Sequence, residues 1–121
     1  IYYKYIIRQD PYSKVSVEKL LSKHKNNINI IKGNSNKVLK EISLDNVDYV
    51  FLDGGHKYET VFNDLKSLTK VVQNNGVILC DDYDLTYAPG VKKAIDEYVL
   101  LNSFNLKILN SRFAEITKNS T

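Results

Sequence analysis

The sequence predicts an α/β protein: a mostly parallel sheet with helices on both faces and a C-terminal antiparallel hairpin. Three observations predict it. Strand-like and helix-like segments alternate along the 121 residues. Two short runs, VDYVFL at 47–52 and VILC at 77–80, are almost continuously apolar, as strands covered on both faces are. The predicted strands end on acids or amides, at the edge where open parallel sheets bind their ligands.

Residues 2–9, YYKYIIRQ, are rich in β-formers and stop at Asp10-Pro11. Residues 16–25 place Val17, Leu20, Leu21 and His24 on one helical face. Residues 28–32, INIIK, form a short strand closed by Gly33-Asn34. A short helix follows over 35–42, with Ser35 as its N-cap. After the strand at 47–52 comes a helix over 57–72, with Val61, Leu65, Leu68 and Val72 along its apolar side. Asn74-Asn75-Gly76 is expected to terminate that helix. The strand at 77–80 runs into Asp81-Asp82. A helix over 90–101 carries Val91, Ile95 and Tyr98 as one row, with Pro89 suited to its first turn. Residues 104–109 and 112–117 read as two strands turning near Asn110-Ser111.

Length fits a single domain over 1–121. The net charge of +3 comes from lysines spread along the chain, so no nucleic-acid surface is expected. The one cysteine, Cys80, lies in an apolar run and reads as a small buried hydrophobe, which suggests a reducing compartment such as the cytoplasm. No apolar run approaches the about 18 residues of a membrane span, and no signal peptide is recognised, so no membrane partner is expected.

The chemistry-bearing residues gather at strand ends. Asp53 and Asp81 are separated by one strand–helix–strand crossover. On adjacent strands they would lie about 5 Å apart in the pairing direction. Asp53, Asp81 and Asp82 would then crowd one region, and like charges that close raise each other's pKa. A divalent cation is one remedy, and oxygen ligands suit a hard ion such as Mg²⁺. The plainer alternative has Asp53 and Asp81 capping the next segments, with Asp82 in solvent. His56 is either a base, a substrate contact or an exposed turn residue. Asp10 either accepts hydrogen bonds from a ribose diol or opens a turn before proline. His24 reads as structural or solvated. Tyr58 and Tyr83 flank the region without a role that position alone assigns.

The stretch VDYVFLDGGHKYETVFNDLKSLTKVVQNNGVILCDDYD resembles the second half of a class I S-adenosylmethionine-dependent methyltransferase. The resemblance is to the macrocin and sugar O-methyltransferase type, which carries a DGxHxYE stretch. Asp53-Gly54, His56, Tyr58-Glu59, Asp64-Leu65, Asn75-Gly76 and Asp81-Asp82 occur in the family's order. RQDPYSK, IIKGNS and GVKKAIDEY extend it to about residues 5–100. The resemblance implies a Rossmann-like fold and a small hydroxylated acceptor as substrate. It implies Asp10 on the cofactor's ribose and Gly33, Asn34 and Ser35 bordering the adenine. It also implies Mg²⁺ on Asp53, Asp81 and Asp82, with His56 and Asp53 at the reacting centre. The family's first strand and glycine-rich loop are absent, so either the chain is an N-terminally truncated domain, or residues 1–9 rearrange, or another subunit supplies the missing strand. That strand lies mid-sheet in the family, and its loss leaves interior edges that favour a homodimer. Two function classes follow: a metal-assisted O-methyltransferase, or a non-catalytic remnant serving as a binding or oligomerisation module. A phospho-accepting receiver domain fits the length, but its paired acids should come early and a lysine should follow the fifth strand.

Overall fold

The computed structural model describes residues 4–8 and 28–118. The predicted helix over 16–25, together with Asp10 and His24, lies outside the described residues. The chain packs as two compact units, Ile1–Glu41 and Ile42–Thr121.

The first unit pairs β1 (Lys4–Arg8) with β2 (Ile28–Lys32) in parallel, Ile6 opposite Ile30. The helix α1 (Ser35–Glu41) follows at once. Its cap differs from expectation: the Asn34 Oδ1 accepts from the Asn36 N–H at 2.9 Å, and Ser35 already lies inside the helix. Asparagine caps as well as serine does, and here it stands one residue earlier.

The second unit is a four-stranded sheet with two helices. Its strand order is β3-β4-β6-β5, where β3 is Val47–Leu52, β4 Val72–Cys80, β5 Asn105–Leu109 and β6 Phe113–Thr117. β3 and β4 are parallel, with Leu52 opposite Cys80. β4–β6 and β6–β5 are antiparallel, so the C-terminal hairpin forms as expected. Its turn holds Asn110 and Ser111 at positive φ (51° and 61°), the hand that matches strand twist.

The helices α2 (Tyr58–Val71) and α3 (Pro89–Asn102) supply the core. Val61, Leu65, Leu68, Val91, Ile95 and Tyr98 are all buried, as their spacing predicts. They pack with Ile78 and Cys80 of β4 and Ala114 and Ile116 of β6, all at most 1% exposed, in forming one core. The Thr69 hydroxyl and Tyr98 Oη, 2.6 Å apart, join the two helices through the same core. Lys118 Nζ donates to the carbonyls of Thr69 and Val72 at 2.8 and 2.7 Å, serving the otherwise open end of α2.

Two further expectations change. Asn74-Asn75-Gly76 does not end α2, because the helix stops at Val71 and the chain is already extended at Val72. The three residues lie inside β4, where Asn75 takes φ 66° and the register with β3 shifts between Val47 and Tyr49. The local turn chemistry therefore becomes a β-irregularity. β3 is not covered on both faces: Tyr49 and Phe51 are 56% and 51% exposed. Among the described residues β3 has a strand on one side only, and the strands divide into a two-stranded and a four-stranded sheet.

Candidate active site

The parallel pairing of Leu52 with Cys80 ends β3 and β4 side by side. Each strand then passes into an acid, and the Asp81 N–H donates to the Leu52 carbonyl at 3.0 Å, carrying the pairing one residue further. One carboxylate oxygen from each of Asp53, Asp81 and Asp82 lies within 4.8 Å of the others. The three acids named from the sequence thus converge at one sheet edge. Asp82 reaches the cluster because its backbone turns sharply, at φ 64°, and its N–H donates to Asp81 Oδ1 at 2.7 Å. Aspartate tolerates this left-handed region better than most residues.

His56 belongs to the same constellation. Its Nε2 lies 2.9 Å from Asp82 Oδ2, so Asp82 is not a solvated bystander. Gly54 and Gly55 carry the chain from Asp53 to His56. A Cβ at Gly55 would come within 2.8 Å of Thr60 Cγ2, so any larger residue there would have to displace the Thr60 side chain at the entry into α2. Asp64 is buried below the turn at 1% exposure, with Oδ2 3.5 Å from the place a Cβ on Gly54 would occupy. It lines the small cavity under the acids with Leu52, Val61, Cys80 and Val91. The Tyr87 ring stands edge-on to His56, with centroids 6.3 Å apart, and is 77% exposed at the rim.

The sequence reading missed Arg112. Its Nε and Nη2 donate to Asp81 Oδ1 and Oδ2 at 2.7 and 3.1 Å, a bidentate pair. The expected mutual rise in acid pKa does not occur at Asp81. The guanidinium hydrogen bonds hold that carboxyl below its ordinary value, against a smaller opposing effect of burial. The signal for Arg112 was topological. Antiparallel pairing of Cys80 with Ala114 brings the turn before β6 beside the residues after β4. The Tyr83 N–H confirms that approach, donating to the Arg112 carbonyl at 2.9 Å.

Tyr83 anchors the loop after the acids. Its hydroxyl donates to Asp96 Oδ1 at 2.5 Å, and Lys92 Nζ reaches both Asp96 and that hydroxyl. Burial and then Asp96 push the phenol pKa up. Tyr58 also has a raised pKa, first through its hydrogen bond to Glu97. Tyr83 thus ties the loop after the acids to α3, and Tyr58 ties the first turn of α2 to it.

In the first unit, Gly33 has φ 157°, and a Cβ there would lie 2.6 Å from Val38 Cγ2. The turn therefore stays bare where β2 meets α1. Asn34 spends its side-chain oxygen on the cap. A shallow cleft beside it is lined by Asn34, Asn36, Lys37, Lys40 and Glu41.

An α/β sheet with three acids and a histidine at the carboxyl ends of adjacent parallel strands defines a ligand-binding class of fold. The chain belongs to the Methyltransferase domain family, which it matches over residues 4–83. It is 39% identical over 54 residues to an uncharacterised protein of Acanthamoeba polyphaga mimivirus, covering 44% of this chain and 24% of that one. An SAH-bound methyltransferase of Podospora anserina superposes with TM-score 0.73 at 17% identity, over 96% of this chain and 60% of that one. The TDP-rhamnose 3'-O-methyltransferase of calicheamicin biosynthesis gives TM-score 0.72 at 14% identity, over 93% and 56%. These structures share the fold. The chain spans about a quarter of the curated relative and under two thirds of each of these structures. No described helix is long and apolar enough to cross a membrane.

Proposed function

We propose that the chain carries the second half of an S-adenosylmethionine-dependent O-methyltransferase site for a small hydroxylated acceptor, of sugar or natural-product type. The convergence of Asp53, Asp81 and Asp82 beside His56 carries this reading. Family membership supports the cofactor, as does the SAH-bound structure of similar fold. The sugar O-methyltransferase of the same fold supports the acceptor class.

The donors fit a divalent ion in kind. All three are carboxylates, they converge from one sheet edge, and oxygen-only sets suit Mg²⁺. Asp53, Asp81 and Asp82 would hold it, and it would supply positive charge that makes an acceptor hydroxyl more acidic. The His56 Nε2–H donates to Asp82 Oδ2 at 2.9 Å, which leaves Nδ1 as the ring nitrogen that takes the proton of the acceptor hydroxyl, with Asp82 stabilising the protonated ring. Asp53, adjacent to that histidine's turn, orients the acceptor. In the first unit the bare Gly33 turn, Asn34 and Ser35 border the adenine, and Asp10 holds the ribose. The cofactor, when bound, supplies an electrophilic methyl group on a sulfonium.

Tritiated S-adenosylmethionine tests the reading, incubated with sugar nucleotides and catechols. The expected result is label transfer to an acceptor oxygen that a chelator stops and Asp81→Asn abolishes. Transfer indifferent to both would remove the acids from the mechanism. The second reading, a non-catalytic binding module, is favoured by the absence of the family's glycine-rich loop from this sequence. A folded sample that binds no S-adenosylmethionine would select it.

A further inference from the structure

The acid cluster already contains a cation of its own. Arg112 covers both oxygens of Asp81, the least exposed partner of the pair at 8% against 57% for the arginine. It arrives on the turn before β6, not on the strands that carry the acids. We propose that Arg112 is a resident counter-ion of the cluster, so that its ion pair with Asp81 and a divalent cation compete for that carboxylate. The proposal rests on the metal-holding role given above to Asp53, Asp81 and Asp82.

The competition follows from charge and geometry. A carboxylate that accepts two parallel guanidinium bonds presents neither oxygen free along its best direction. A doubly charged ion on the same carboxylate would face the guanidinium across only a few ångströms, where repulsion between like charges is strong. The arginine also has somewhere to go. Its side chain is mostly exposed, and the guanidinium carbon already lies 5.2 Å from the centre of the Phe113 ring. The turn does not depend on the side chain. The Arg112 N–H donates to the Leu109 carbonyl at 3.2 Å, and its carbonyl accepts from Tyr83 at 2.9 Å. Removing the guanidinium therefore frees Asp81 without dismantling the hairpin. The ion-free cluster is kept partly neutral by Arg112, and metal entry coincides with release of the arginine.

Mn²⁺ titrated into the full chain tests this, with the free-ion electron paramagnetic resonance signal as readout and circular dichroism to verify folding. Arg112→Gln should bind Mn²⁺ about tenfold tighter than the natural chain, the scale of one lost charge-assisted pair. Arg112→Lys, which cannot form the bidentate fork, should fall between the two. Adding Asp53→Asn to Arg112→Gln should weaken binding again. In the natural chain, Mg²⁺ should shift the Arg112 Nε–H resonance toward that of a solvated guanidinium. Equal or weaker Mn²⁺ binding by Arg112→Gln, with the natural chain still binding, would overturn the competition and leave the metal site standing. Folded variants that all bind no Mn²⁺ would overturn both the competition and the metal-holding role.

Discussion

Asp81 shows how a single side chain can carry two meanings. As one of three clustered acids it should ionise reluctantly, but its bidentate partner Arg112 makes it ionise more readily than a free aspartate. A depressed native pKa adds stability that is fully present above the unfolded value and is lost as pH falls through the native one. The melting temperature of Asp81→Asn should therefore lie below that of the natural chain at pH 7. That gap should hold down to about pH 4, near the ordinary aspartate value, and close below it. Thermal melts across an acid series check this, and a gap that grows toward low pH would contradict it. Cys80 gives a second prediction at this scale. Burial pushes its thiol up to about 12, so almost no thiolate exists at neutral pH. Ellman's reagent at pH 8 should leave the native chain unmodified and react with one thiol after unfolding. His56 and the acids were legible in the sequence because each stands where an apolar run stops. Arg112 was not, because its partner is fixed by an antiparallel register that no local pattern encodes.

At the level of elements, α3 both builds the core and sets the site. Its first turn presses on the loop that carries His56: a Cβ at Gly90 would stand 2.7 Å from the Tyr58 nitrogen and 3.1 Å from the His56 carbonyl. Backbone cannot yield as a flexible side chain can, so Gly90→Ala should destabilise by about 1–3 kcal/mol, as overpacking does. It should also disturb the His56–Asp82 contact. Denaturant unfolding measures the first effect, and the His56 ring resonances report the second. In the core proper, Leu65 is fully buried on α2, and Leu65→Ala should cost about 2–5 kcal/mol in the same unfolding experiment. The helices and the strand hairpin were legible from periodicity and turn residues. The segment 74–76 was misread for a physical reason. Two asparagines and a glycine favour left-handed backbone, which serves a helix stop and a β-irregularity equally well. Pairing with β3 decides between them, and pairing is not local. The Ser35 cap failed more narrowly, since Asn34 and Ser35 are both good caps and only the start of the helix separates them.

Over the whole molecule, the described strands form two sheets, β1-β2 and β3-β4-β6-β5, each with a parallel pair. The acids of the candidate site all belong to the second unit, and the residues proposed to border adenine belong to the first. The family match runs from residue 4 to residue 83 and so includes residues of both units, and the proposed function gives this chain S-adenosylmethionine as its cofactor. That assignment is the central claim. Calorimetric titration of S-adenosylmethionine into this chain, with and without Mg²⁺, tests it most directly. The account predicts saturable binding near one cofactor per chain, strengthened by Mg²⁺ and weakened by Asp10→Ala. A folded sample that gives no binding heat at any Mg²⁺ concentration would contradict it.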